Sequence, residues 1–83
     1  MNYEDEKTGL KFWKAIDKIA EKQGISVSRL AVNSGLNIST FNKSKRISNL
    51  GKKRYPTLRT VLAVLKSSKT SWNEFIFLIE EEK

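Results

Sequence analysis

Eleven Lys and Arg stand between Lys22 and Asn73, a window that holds no Asp or Glu. They are Lys22, Arg29, Lys43, Lys45, Arg46, Lys52, Lys53, Arg54, Arg59, Lys66 and Lys69. Cations segregated in this way raise a positive field over one part of a surface, and such a field attracts polyanions. The flanks carry nine acids against five Lys, which leaves the chain at +7. Residue types for other chemistries are missing. With no His and no Cys, there is no Cys/His zinc set and no disulfide. There is no Gly-rich phosphate loop, and the nine acids fall near the two ends or between Thr8 and Gln23. That leaves no carboxylate pair in a plausible cleft for acid–base work. The chain is not expected to be an enzyme or to carry a cofactor or metal, and no small-molecule ligand is evident.

The elements that must position these charges are helical. Eighty-three residues make one domain, 1–83, and a chain of this size buries only roughly 60–65% of its unfolded surface. From about Thr8 to Gln23, residues Phe12, Trp13, Ile16, Ile19 and Ala20 recur at helical spacing. Lys7, Lys11, Lys14, Lys18 and Lys22 run along the opposite face, with Asp17 and Glu21 spaced to pair with Lys14 and Lys18. That spacing favours a solvated face over a DNA rail. Gly24 ends this helix. Ser26 caps a second helix, about Val27 to Ser34, which turns Val27, Leu30 and Ala31 inward. After Gly35, Asn37 caps a third, about Ile38 to Arg46. A fourth is predicted from Thr57 to about Ser67 with Leu58, Val61, Leu62 and Leu65 inside, and a fifth from Ser71 to about Glu81 with Trp72, Phe75, Ile76 and Ile79 inside. The fold class is all-α with five helices. No apolar run reaches the roughly 20 residues of a membrane span, and the acidic N-terminus lacks a signal core. A cytoplasmic protein is expected.

Two helices joined by a Gly-containing turn, at about residues 27–46, have helix-turn-helix spacing. Ala31, Gly35 four residues on and Phe41 six further on resemble the framework of the lambda-repressor-like, or phage repressor and Cro-type, DNA-binding family. Leu30 and Leu36 match its apolar positions, whereas Ser34 departs from a bulkier apolar residue. Phe12-Trp13-Lys14-Ala15-Ile16-Asp17 and Phe41-Asn42-Lys43-Ser44-Lys45-Arg46 are similar to the N-terminal domains of bacterial and prophage self-cleaving repressors. The resemblance covers the chain from residue 8 onward. It implies a compact five-helix domain and a repressor that places the third helix in the major groove of a double-stranded operator. Whether the chain stands alone or begins a longer repressor is left open by its acidic tail.

At 100° per residue, Ser39, Asn42, Lys43 and Arg46 share a face opposite Phe41, flanked by Ile38 and Thr40. These six are the expected base readers: Asn42 toward adenine, Lys43 or Arg46 toward guanine, Ile38 toward a thymine methyl. Phosphate contacts are expected from Ser28, Arg29, Asn37 and Lys45, and from Lys52, Lys53, Arg54 and Tyr55 in the loop leaving the third helix. The run Phe75–Ile79 exceeds one helical face, so Phe77 and Leu78 either pack under the first helix or form a dimer interface between two copies. Two other classes remain: an RNA-binding module, which would expose stacking aromatics, and an antitoxin-type protein-interaction domain on the same helical fold.

Overall fold

The computed structural model describes residues 6–46 and 54–81, and the side chains of these except at 6–8, 43 and 45. Among the described residues there are four α-helices and no strand: α1 (Glu6–Lys22), α2 (Val27–Asn33), α3 (Leu58–Ser68) and α4 (Trp72–Glu81), with a 3₁₀ turn at Lys43–Arg46. α1 is the central element and packs along α4 and against α2, while α2 meets α3. It buries Trp13, Ala15, Ile16, Ile19 and Ala20, and these join Leu30, Ala31, Phe41, Val61, Val64, Leu65, Phe75, Leu78 and Ile79 in one core. Each fully buried large apolar side chain in such a core contributes about 1.5–3 kcal/mol. None of these helices is long and apolar enough to cross a membrane.

The helix ends follow local chemistry. Ser26, Thr57 and Ser71 each accept the amide three residues on through the side-chain oxygen, at 3.1, 3.2 and 3.1 Å. At the other ends, Gly24 (φ 68°) and Gly35 (φ 74°) take the left-handed conformation. The next residue then donates back into the helix: Ile25 N–H to Ala20 C=O at 3.1 Å and Leu36 N–H to Ala31 C=O at 2.9 Å. α3 ends the same way without glycine. Lys69 sits at φ 55° and Thr70 N–H reaches Leu65 C=O at 3.0 Å.

Four expectations are revised. First, residues 38–46 are a series of tight turns closing in the 3₁₀ turn, not an α-helix. Second, α3 starts one residue later, with Thr57 as its cap; it buries Val61, Val64 and Leu65 but leaves Leu58 and Leu62 exposed. Third, α4 is rotated from the expected stripe. Phe75, Leu78 and Ile79 face the core, and Trp72, Ile76 and Phe77 face outward. In a five-residue apolar run, periodicity alone does not choose the buried arc; the packing surface of α1 does. Fourth, Asp17 pairs with Arg46 and Lys18 with Glu81, contacts across elements that spacing along α1 does not foresee. The departure at Ser34 has a counterpart in α3: its hydroxyl donates to Leu30 C=O at 2.7 Å and lies 2.7 Å from that of Ser67, a polar contact where an apolar one was expected.

Candidate nucleic-acid interface

The segment after Gly35 is rich in side chains that bond to nearby backbone. Asn37 Oδ1 accepts from the Ser39 amide at 2.9 Å and from the Ser39 hydroxyl at 2.7 Å. The Thr40 amide and hydroxyl both donate to Asn37 C=O, at 2.9 and 2.7 Å, and Asn42 N–H donates to Ser39 C=O at 3.1 Å. Such bonds offer Asn, Ser and Thr backbone an alternative to the helical ladder. Phe41 anchors the segment. It is fully buried, with its ring edge-on to Trp13 at 6.3 Å.

Arg46 closes the segment from inside. Its guanidinium grips Asp17 through two nitrogens, Nη1 to Oδ2 at 3.0 Å and Nη2 to Oδ1 at 2.7 Å. Nε and Nη2 also donate to Phe41 C=O at 3.2 and 2.8 Å, and the guanidinium lies 5.2 Å from the centre of the Trp13 ring. Only 9% of Arg46 is exposed, so its placement among the base readers is corrected: the guanidinium is committed to the core. Phe41 C=O would serve a helical bond, and Arg46 occupies it instead. That is a physical reason for turns in place of a helix. The backbone continues the clasp. Arg46 C=O accepts from Arg54 N–H at 2.9 Å, and Arg54 C=O accepts from the Trp13 indole at 2.7 Å.

The remaining expected contacts divide by location. Asn37, Ile38 and Asn42 are exposed, and Ser39 and Thr40 are half-buried on the same turn series. Ile38 is 61% exposed, which leaves an apolar side chain free for contact. Ser28 at the start of α2 is half-buried and Arg29 exposed. Arg54 and Tyr55 are exposed at the point where the chain rejoins α1, Tyr55 with its ring tilted against Phe12 at 5.8 Å. Gly9 lies beside them: a Cβ there would meet the Tyr55 ring and Arg54 C=O at 3.5 Å, an ordinary van der Waals contact. Lys52 and Lys53 lie outside the described residues, and the side chains of Lys43 and Lys45 do as well. The two residues expected at a dimer interface separate. Phe77 is 65% exposed, while Leu78 is 5% exposed and belongs to the core.

The turn series and the start of α3 face one another across a cleft of about 450 Å³. Asn37, Ser39 and Thr40 line one side and Thr57 and Thr60 the other, with Arg54, Tyr55, Pro56 and Trp13 between them. Thr57 and Thr60 were absent from the sequence-based site. Their only sequence signal is a Thr-x-x-Thr spacing after Pro56, which also serves a plain helix cap. Among the described residues, no carboxylate lines the cleft. Among the described residues there is also no group of three or more His, Cys, Asp or Glu that could hold a metal ion.

Comparison with known proteins yields no relative: no family model, no curated protein and no solved structure matches the chain.

Proposed function

We propose that this chain is a sequence-specific duplex-DNA-binding regulator of the helix-turn-helix type, acting as a repressor. The observation that carries the proposal is charge placement: the acid-free window runs from the end of α1 through α2, the turn series and α3, and among the described residues its cations Lys22, Arg29, Arg54, Arg59, Lys66 and Lys69 are exposed, with Arg46 alone turned into the core. Duplex DNA is a dense polyanion, and cations on a common face gain affinity by releasing its counterions. The framework positions support the same reading. Ala31 is fully buried where α2 needs close packing, Gly35 has the positive φ that the turn needs, and Phe41 is fully buried as an anchor.

In this reading α2 stands beside the phosphate backbone, with Ser28 and Arg29 toward it. The exposed Ile38 and Asn42 and the half-buried Ser39 and Thr40 address base edges, joined by Lys43. Asn37, Lys45, Lys52, Lys53, Arg54 and Tyr55 hold the backbone. The exposed Phe77 with Trp72 and Ile76 supplies a contact between two copies, so that a two-fold dimer meets a palindromic site with half-sites about one helical turn apart. Trp13, Phe41 and Phe75 are buried, which takes these rings out of base stacking and weighs against an RNA module.

The test is selection from a random duplex library, followed by competition with single strands. Enrichment of one motif that single-stranded competitor fails to displace is the expected result. Failure to enrich any duplex sequence overturns the proposal in favour of the RNA-binding or antitoxin-type class.

A further inference from the structure

We propose that the cleft between the 37–42 turn series and the start of α3 is a binding site for a small oxyanion carried on a planar ring, the chemistry of a nucleoside monophosphate. The inference stands on the cleft alone and does not depend on duplex binding.

The hydrogen bonds already made around the cleft determine what is left to offer. Asn37 Oδ1 is used twice by Ser39, which orients the side-chain amide and leaves its N–H₂ group as a donor. Thr57 Oγ1 accepts from Thr60 N–H at 3.2 Å and donates to Thr60 Oγ1 at 2.9 Å, so the Thr60 hydroxyl keeps its own proton to give away. The Arg54 guanidinium has no ion-pair partner among the described residues. Asn37, Thr60 and Arg54 therefore line one space with an amide, a hydroxyl and a guanidinium as available donors, and among the described residues no carboxylate lines it. The amides opening α3 add the positive end of an eleven-residue helix. Donors without acceptor charge select an oxyanion.

The rest of the wall is apolar. The Tyr55 ring and Pro56 are the accessible part of it, with the buried Trp13 behind them, and a cleft of about 450 Å³ falls within the size of small-ligand sites. A phosphate alone would leave that wall wet. A ring attached to the phosphate covers it. In a duplex the rings are stacked, so a nucleotide can bring ring and phosphate together into this cleft only when free or unstacked.

The Trp13 indole N–H, bonded to Arg54 C=O at 2.7 Å, is a built-in reporter, and the Trp72 indole outside the cleft is its control. Adenosine monophosphate titrated into the intact protein should shift the Trp13 indole resonance saturably and leave that of Trp72 in place. Adenosine and inorganic phosphate should each bind at least roughly tenfold more weakly. Arg54→Ala and Thr60→Val should weaken the nucleotide by at least about threefold at unchanged fold, while Lys66→Ala, exposed and outside the cleft lining, should have no effect. No saturable Trp13 shift up to about 10 mM nucleotide overturns the site. So does equal binding by Arg54→Ala. Phosphate binding as tightly as the nucleotide overturns the ring and leaves a generic anion contact. Nucleotide binding without any duplex binding would refute the regulator reading and leave this site standing; duplex binding with an inert cleft would do the reverse.

Discussion

Arg46 and Asn42 sit four residues apart and have opposite destinations, which makes them the most informative pair of side chains in the molecule. Arg46→Ala removes a two-pronged ion pair and two hydrogen bonds to Phe41 C=O, and strands the partly buried carboxylate of Asp17. With Asp17 still more than a third exposed, water softens the loss, and the expected destabilisation is about 2–4 kcal/mol. For a domain of this size that lowers the thermal midpoint by roughly 10–20 °C. Arg46→Lys should not restore it, because an ammonium cannot reproduce the fork. Asn42→Ala, at an exposed turn position, should leave the melting curve in place and weaken duplex binding by about 1–3 kcal/mol. A thermally intact Arg46→Ala protein that has lost DNA would put Arg46 back among the base readers.

At the scale of elements, the end of α3 is a strained version of the ends of α1 and α2. Lys69 holds the left-handed conformation that Gly24 and Gly35 hold at the other two. Lys69→Gly should therefore raise stability by about 0.5–1 kcal/mol, read as a higher melting temperature; a lower one would mean that the Lys69 side chain contributes more than its backbone strain. The stretch beginning after Arg46 supplies the second test. Replacing Lys52, Lys53 and Arg54 by Ala should reduce the salt dependence of duplex binding by roughly two to three phosphate equivalents, and an unchanged slope removes these residues from the interface. Helix ends were legible because glycine, serine and threonine do there what their own chemistry dictates, as at Ser26, Gly24 and Gly35. The conformation of 38–46 was not, because it depends on Asp17, 29 residues before Arg46. Periodicity likewise placed α4 on the core without fixing its rotation, since Phe75 to Ile79 are apolar all round. The cleft was hidden for a related reason: Thr60 and Asn37 are distant in sequence and meet only once α2 and α3 are packed.

The whole molecule separates its surfaces. The exposed Trp72, Ile76 and Phe77 of α4 are apolar, in contrast with the cations exposed on α2 and α3. The two former interface candidates now give contrasting predictions. Phe77→Glu should keep the melting temperature and abolish any concentration-dependent dimer in sedimentation, whereas Leu78→Glu should unfold the domain, since it places a charge in the core beside Ile79 and Phe75. A wild-type protein that stays monomeric at high concentration and on DNA rules this interface out. The central claim concerns the other face, and amide chemical-shift mapping on addition of a selected duplex tests it most directly. The account predicts that perturbations concentrate at Ser28, Arg29, residues 37–42 and Arg54, with Trp72 and Ile76 unmoved apart from changes due to dimerisation. Perturbations absent from residues 37–42, with the duplex bound elsewhere on the surface, would contradict it.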